Sequence, residues 1–410
     1  MEETISLKPF SFIHVADLHL GYEQYTLAAR REDFDRAFEE VVERSLELKP
    51  DFMIIAGDVF HHARPSNVTL ERAIQNFRRL KDAGIITLAV DGSHDGAPNV
   101  ITGTILNPLD AARLIYYLPR HEGASWRNEN CYVYGVPNFR NRRRTEESLP
   151  AFLDVKKPKP DPSIFNIFVF HMALEIPAIM KKHPKMEAEA TSEMIPDGFN
   201  YYAGGHIHTS WQIPFKNGLL VYSGCIETVS YEDAKVDKGF YFVEVSSDGV
   251  PDLTRIRLEC PRKFVVLDDD YTGMTPSRIT ELVAEAVKKA DEPGVVIIPI
   301  LKGVLPAESS RREIDIAKIR SSAEKALIVR PLIRMRETEI PEEVIRTIFE
   351  GELKNLKTKA YEFFLEYFSQ RYPKQEAERN ARLALSLIPP LLEKNDKKVR
   401  EILEETLHED

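Results

Sequence analysis

Up to about residue 258 short apolar runs recur with amphipathic segments between them, and this alternation restricts the possible fold more than any other feature. The runs are FSFIHVA (10–16), FMIIAG (52–57), ITLAV (86–90), CYVYGV (131–136), NIFVFH (166–171), YYAGG (201–205), GLLVYSG (218–224) and GFYFVEV (239–245). Their length and their content of β-branched and aromatic residues mark them as strands. Between the first two, REDFDRAFEEVVERSLEL carries Phe34, Ala37, Phe38, Val41, Val42 and Leu46 on one helical stripe. Between the next two, SNVTLERAIQNFRRLKDAG offers Ser66 or Asn67 as an N-cap and Gly84 as a C-terminal cap. Strands alternating with helices predict an α/β domain with much parallel pairing.

A different composition follows Pro261. KFVVLDDD, the helical TPSRITELVAEAVKKA and GVVIIPIL predict a small α+β unit to about 336, and the remainder is helical and charge-rich. The expected domains are 1–260, 261–336 and 337–410. A formal net charge of −10 excludes a uniformly basic surface but leaves room for a local basic groove. Cys131, Cys225 and Cys260 are scattered without a CxxC pair, so neither a disulfide framework nor a thiolate zinc site is expected. The opening MEETISLKPFSF lacks secretory character, and no apolar run is long enough to cross a bilayer. A reducing, cytoplasmic location without membrane contact is the expectation.

Five of the runs end in side chains foreign to a strand core. FSFIHVA runs into Asp17-Leu18-His19, FMIIAG into Asp58-Val59-Phe60-His61-His62, and ITLAV into Asp91-Gly92-Ser93-His94-Asp95. NIFVF ends at His171 and YYAGG at His206-Ile207-His208. Ligand sites of parallel α/β sheets gather outside the carboxyl ends of the strands, so these groups are expected to converge. Carboxylates with neutral imidazoles suit Mn2+, Fe2+ or Zn2+ and are too rich in nitrogen for Ca2+ or Mg2+ alone. Two carboxylates and four or more imidazoles exceed the needs of one cation. Two cations about 3.5–4 Å apart, sharing one carboxylate, account for the number and serve in-line phosphoester hydrolysis. Singly, each piece has an ordinary reading: Asp17-x-His19 can cap a turn, Gly57-Asp58 can form one, and a lone His171 can sit satisfied in a core. His206-Ile207-His208 favours metal, because it places two imidazoles on one face of an extended segment. Together and in order, the five endings make coincidence the lesser reading. His14, His121, His183 and His408 have no partner pattern and read as structural.

With DLH, GDVFHH, GSHD, the lone His171 and GHIH in this order, the chain resembles the calcineurin-like metallophosphoesterases. VADLHLGYEQY, GDVFHHARPS and YYAGGHIHTSW, followed by VYSGCIE and KGFYFVEV, are similar to segments of the SbcD and Mre-eleven nucleases of DNA double-strand-break repair. The resemblance covers the first domain well, the next unit in part and the terminal helices by pattern only. It implies a four-layer αββα sandwich with a DNA-capping α+β domain and C-terminal helices. It further implies that Asp17, His19, Asp58 and His208 hold a first cation, and that Asp58 (as bridge), Ser93, His171 and His206 hold a second. Mn2+ is the implied ion, with Mg2+, Fe2+ or Zn2+ as alternatives. By the same resemblance His94 stands by the scissile phosphate, and His61 supports the phosphate or the attacking water. A 3′ to 5′ exonuclease and a single-strand endonuclease are the implied activities. One position departs from the family pattern. Ser93 stands where the family has Asn, and a hydroxyl is shorter and a weaker donor than an amide oxygen, so reduced activity rescued by high Mn2+ is expected.

Basic runs occur at Arg140, Arg142, Arg143 and Arg144, at Lys156, Lys157 and Lys159, and at Lys181, Lys182 and Lys185. They are DNA contacts if they flank the metal site and solvated loops otherwise. In KAYEFFLEYF, Tyr361, Phe364, Tyr367 and Phe368 belong to an aromatic stripe, and in KKVREILEETL, Val399, Ile402 and Leu403 follow helical spacing. Such stripes usually face their own core; at the end of a chain, after a cap unit, they also suit a partner. The resemblance implies that residues about 357–407 grip the coiled-coil base of an ABC-type ATPase (the SbcC, Rad-fifty type). It also implies a homodimer through early helices, the SNVTLERAIQNFRRL segment among them. Competing readings are a phosphatase or cyclic-nucleotide phosphodiesterase on the same fold, and a DNA-end-binding scaffold weakened through Ser93.

Overall fold

β-Branched and aromatic side chains at successive positions can cover both faces of a pleated sheet, and the apolar runs of the first 258 residues do so. The computed structural model describes residues 7–96, 103–306, 309–337, 353–369, 372–392 and 396–407. The chain divides into two compact units, Met1–Val265 and Val266–Asp410.

The first unit opens with β1 (Phe10–Val15), α1 (Ala28–Leu48), β2 (Phe52–Ala56), α2 (Asn67–Asp82), β3 (Ile86–Val90), α3 (Leu106–Ala111) and β4 (Tyr116–Tyr117). There follow β5 (Ser125–Arg127), β6 (Cys131–Gly135), α4 (Arg142–Lys156), β7 (Phe165–His171), α5 (Pro177–Lys182) and β8 (Tyr201–Gly205). β9 (Trp211–Phe215), β10 (Gly218–Tyr222), β11 (Gly239–Val245) and β12 (Pro251–Arg257) complete it. Two six-stranded sheets result, ordered β12-β11-β1-β2-β3-β4 and β5-β6-β7-β8-β10-β9. β1 to β4 are mutually parallel, as are β6, β7, β8 and β10, while β11, β12, β5 and β9 attach antiparallel.

Alternation along the strands sorts the side chains into layers. Phe12, Phe52, Ile54, Leu88 and Val90 point into a core shared with Ile167, Val169, Tyr201 and Ala203 of the second sheet. Ile13, Met53, Ile55 and Ala89 face the other way, against Phe38, Val41 and Val42 of α1 and Phe77 and Leu80 of α2. Leu149 of α4 and Ile179 of α5 add helices to the second sheet. The layers run helix, sheet, sheet, helix. Phe12 and Phe52 stack with ring centroids 5.2 Å apart, and full burial of each such side chain contributes about 1.5–3 kcal/mol. Since β2 packs against β7 and β8, the carboxyl ends of parallel strands from both sheets meet.

β4, β5, β9 and β12 have no counterpart among the strands expected from the sequence. They are short or lie at sheet edges; β9 carries Pro214, and both β9 and β12 alternate between exposed and covered residues. The continuous apolar run that betrays a strand covered on both faces is missing from them. Of the basic run, Arg142, Arg143 and Arg144 open α4 instead of forming a loop, with Asn141 Oδ1 accepting the Arg144 N–H at 3.0 Å, and Arg140 precedes the helix.

In the second unit β13 (Phe264–Asp270), which straddles the division, joins a four-stranded sheet after which come α6 (Pro276–Lys289), β14 (Val296–Val304), α7 (Ile316–Ser321), β15 (Ile328–Val329) and β16 (Leu332–Arg336). β15 and β16 pair in parallel with successive stretches of β14. Ile279, Val283 and Val287 form the buried stripe of α6. α8 (Leu353–Ser369), α9 (Lys374–Leu392) and α10 (Asp396–Leu407) close the chain, α8 packing on α9 and α9 on α10. Tyr361, Phe364, Tyr367 and Phe368 are half-buried on α8, as are Val399 and Ile402 on α10, whereas Leu403 is exposed. His408 and residues 338–352, the start of the expected third domain, lie outside the described residues. Among the described residues no helix is long and apolar enough to cross a membrane.

Candidate metal centre

The strand ends turn sharply. Asp17 (φ 55°), His19 (φ 46°), Asp58 (φ 49°) and His206 (φ 87°) all occupy the left-handed backbone region, which costs a residue with a side chain on the order of 1–3 kcal/mol. Gly57 (φ 88°) precedes Asp58, and a Cβ there would lie 2.3 Å from His171 Nδ1. A Cβ at Gly92 would lie 2.1 Å from Asp58 Oδ1. Only glycine allows the loops this approach. Asp95 ties the ends of β2 and β3 together by accepting the N–H groups of Val59 (3.1 Å), Phe60 (2.8 Å) and Gly92 (2.9 Å).

The polar groups meet across the two sheets. Asp58 Oδ2 lies 3.1 Å from His171 Nε2 and 3.8 Å from His19 Nε2. Asp17 Oδ1 lies 4.0 Å from both His171 Nε2 and His208 Nε2, and its carboxylate accepts the His206 N–H at 3.1 Å. Ser93 Oγ donates to Asp58 Oδ2 at 3.4 Å, and the His94 N–H donates to Asp58 Oδ1 at 2.8 Å. The His206 ring stands 5.3 Å from that of His171. His61 stacks between Tyr22 (3.7 Å) and His94 (4.6 Å). All nine residues singled out from the strand ends thus form one connected cluster.

Three imidazoles are pinned through Nδ1. His171 Nδ1 faces the Ala56 carbonyl at 2.8 Å, His94 Nδ1 faces the His61 carbonyl at 2.9 Å, and His208 Nδ1 faces Asp233 Oδ2 at 2.9 Å. A carbonyl or carboxylate oxygen only accepts, so each Nδ1 carries a proton and Nε2 is the ring atom left for the cluster or a substrate. Nε2 of His171 and of His19 are buried without any hydrogen-bond partner.

The electrostatics describe a nest short of positive charge. Burial lifts Asp17 to about 6, Asp91 to about 6 and Asp95 to about 7, the nearby Asp58 adding to the rise in Asp95. Burial acts against ionisation of Asp58 and His171 as well. Their contact at 3.1 Å outweighs it, holding Asp58 below the usual carboxylate range and lifting His171 to about 10. Asp17, at 4.0 Å from the same imidazole, gains less. Burial holds His19 well below its ordinary value and takes His61 and His206 down to about 3, leaving all three neutral.

Several contributors have no mark in the sequence. Asp233 braces His208 from a short turn, Asn138 Nδ2 donates to the His171 carbonyl at 2.6 Å, and Tyr117 donates to Asp91 at 2.8 Å. Glu189 Oε2 lies 3.7 Å from His206 Nε2. Among the basic residues, Arg140 donates to the Gly96 carbonyl at 2.8 Å, next to Asp95. Arg142 pairs with Glu146 and Glu175 and Arg143 with Glu147, each at 3.0 Å. Arg144 is exposed. Lys182 lies over the Trp211 ring at 5.1 Å. His14 bonds Tyr201 and His121 bonds Asp110, as structural histidines do.

Residues 10–210 match the calcineurin-like phosphoesterase family. A DNA double-strand break repair protein Mre11 from Methanocaldococcus jannaschii is 30% identical over 267 residues, which cover 62% of this chain and 68% of that protein. The chain belongs to the Mre11 family of calcineurin-like phosphoesterases. Mre11 from Archaeoglobus fulgidus is 28% identical over 355 residues, covering 81% of this chain and 77% of the relative. Mre11 from Saccharolobus solfataricus is 27% identical over 311 residues, covering 74% and 76%. Membership implies a centre of two metal ions, and the residues present fit one. Asp17, His19 and His208, and separately Asp17, Asp58 and His171, bring ligand atoms within 4.8 Å of one another. The orphaned Nε2 atoms and the buried carboxylates of Asp17 and Asp58 are what a cation would satisfy.

Proposed function

We propose that this Mre11-family chain is a metal-dependent nuclease that hydrolyses DNA phosphodiester bonds in the repair of double-strand breaks. The observation that carries the reading is the cluster itself: carboxylates and imidazoles from five strand ends converge, and the buried Nε2 atoms of His19 and His171 have no hydrogen-bond partner. Asp17, His19, Asp58 and His208 would hold one cation, and Asp58, Ser93, His171 and His206 the other. Mn2+ suits this mixture of carboxylate, imidazole and hydroxyl. When bound, such a pair supplies a water of lowered pKa and offsets charge on the phosphate.

The remaining work falls to the protein. His94 has its Nδ1 committed to the His61 carbonyl, so Nε2 is free to stabilise the scissile phosphate or protonate the leaving 3′ oxygen. His61, stacked between Tyr22 and His94, keeps that ring in place and can support the phosphate or the attacking water. The left-handed turns at Asp17 and Asp58 and the Asp95 ties hold the carboxylates before substrate arrives.

Cutting would proceed 3′ to 5′ from DNA ends and endonucleolytically in single strands. Arg140, Arg142, Arg143 and Arg144 are the proposed phosphate contacts; Arg142 and Arg143 would have to exchange their carboxylate partners for phosphate. Residues 261–336 would help to position DNA, and α8 to α10 would bind a coiled-coil ABC-type ATPase through Tyr361, Phe364, Tyr367, Phe368, Val399, Ile402 and Leu403. A homodimer through α2 and a cytoplasmic or nucleoid location complete the reading. The relatives' printed role in double-strand break repair supports it.

End-labelled duplex DNA and a small phosphodiester, each with Mn2+, provide the test. The DNA should shorten from its 3′ ends in the wild type and not in Asp58→Asn, with the small diester a poorer substrate. Intact DNA in saturating Mn2+, or equal cutting by the variant, rejects the nuclease reading. For the partner, truncation at Asn355 should abolish co-purification of the ATPase, and unchanged binding defeats that part.

A further inference from the structure

The donor set proposed above is short of negative charge on one side. Asp17 and Asp58 are its only carboxylates, and the second cation shares Asp58 while otherwise meeting His171, His206 and a hydroxyl. That hydroxyl is a weak donor, and Ser93 Oγ is turned toward Asp58 Oδ2. A third carboxylate stands beside this same side. Glu189 is 8% exposed, and its Oε2 lies 3.7 Å from His206 Nε2.

The chain is stitched so as to put it there. The Glu189 N–H donates to the Ala173 carbonyl at 2.8 Å, and the Ala173 N–H donates back to Glu189 Oε2 at 3.1 Å. A parallel bridge between Leu174 and Ala190 fixes the segment against the residues that follow His171. Among the described residues no Lys or Arg pairs with Glu189. A buried carboxylate without a Lys or Arg partner is unfavourable unless a cation faces it. The 3.7 Å spacing exceeds a hydrogen bond. It matches the 3.8 Å between His19 and Asp58 and the 4.0 Å between Asp17 and His208, donors that would share one cation.

We propose that Glu189 is a further cation-facing carboxylate of this centre, giving the second cation the anionic oxygen that Ser93 lacks. The assignment rests on the two-cation reading above. It raises the formal negative charge of the site from two to three against the four positive charges of two divalent ions.

Titration of the full chain with Mn2+, by calorimetry and by electron paramagnetic resonance of the free ion, tests this. The wild type should take up two ions per chain. Glu189→Gln keeps an oxygen for the Ala173 N–H but loses the charge, and should weaken the second ion at least about tenfold while leaving the first unchanged. Adding Ser93→Asn, which brings an amide oxygen to the same side, should recover most of that loss. Two ions bound by Glu189→Gln with wild-type affinities overturn the assignment and leave the two-cation reading standing; a wild type that binds no Mn2+ overturns both. Should Glu189→Gln melt early in metal-free buffer, Glu189→Asp, which withdraws the carboxylate by one methylene, takes its place with the same expected result.

Discussion

Replacing Asp233 should loosen His208 and, with it, one cation. The Asp233 carboxylate, 11% exposed in its side chain, accepts from His208 Nδ1 at 2.9 Å and from the Ser230 N–H at 2.8 Å. A hydrogen bond to an ionised group contributes about 1.5–3 kcal/mol, and about 1.4 kcal/mol is tenfold in a binding constant. Asp233→Ala should therefore weaken one of two Mn2+ ions by about 10–100-fold, the range typical of groups that brace a metal-bound imidazole. Asp233→Asn retains an oxygen acceptor without the charge, so its effect should lie near the lower limit, about tenfold. Asp233 also closes a capping box with Ser230 on the turn Tyr231–Lys235, and losing such a cap costs about 1 kcal/mol of stability. Ser230→Ala removes only the serine side chain from that cap, and should lower the melting temperature while leaving Mn2+ affinity alone. Calorimetric titration of the three variants, with circular dichroism to verify folding, separates the two roles. A folded Asp233→Ala protein with wild-type Mn2+ affinity would refute the reasoning, because His208 would then need no carboxylate to present Nε2.

Three further outcomes are expected. Gly92→Ala places a Cβ 2.1 Å from Asp58 Oδ1 and 2.3 Å from the Asp58 nitrogen; displacing this carboxylate, proposed above to hold both cations, should lower kcat on the order of 100-fold, and a rate within threefold of wild type removes the argument. His14 is buried beside Tyr201, and burial holds its pKa down to about 3 from 6.5. The unfolded chain therefore takes up this proton first, so the stability is complete above pH 6.5 and is lost as pH falls toward 3; from pH 7.5 to 5 the loss is about 2 kcal/mol. Urea midpoints of His14→Phe should shift less over that interval than those of the wild type, and equal shifts count against it. Arg30, fully buried, donates to Gln24 (3.0 Å), Asp33 (2.5 Å), Glu227 (3.2 Å) and the Thr228 carbonyl (3.0 Å). Arg30→Met takes the ion pair from buried Glu227, while Asp33 keeps Arg262 at 2.5 Å, so the loss should lie near the lower end of about 3–5 kcal/mol, a loss below about 1 kcal/mol by denaturant titration being the contrary result.

Much of the architecture is legible along the chain. β1, β2, β3, β7 and β8 follow runs whose apolar positions leave no polar face, and α1 and α2 follow stripes that repeat at helical spacing. Asp17, Asp58 and His206 are equally visible, because each stands directly where such a run breaks into polar residues. β9 and β12 are not visible, since edge strands with one wet face look like loops. The basic run at 142–144 has the composition of a phosphate-binding loop, yet in the fold two of its members are held by Glu146, Glu147 and Glu175.

Periodicity and the residues that interrupt it are local properties, so the amino-acid order by itself determined the strands, the helices on their flanks and the polar groups at the strand ends. Which of those groups touch was decided only in three dimensions. The N–H of His206 finds Asp17 across 189 positions, and His208 finds Asp233 across 25. Glu189 and Asp233 sit on segments without a repeating pattern, and their roles come from distance and burial, which no short stretch of chain encodes. Electrostatic work in a buried centre depends on separation in space, and that separation exists only once both sheets have closed on one another.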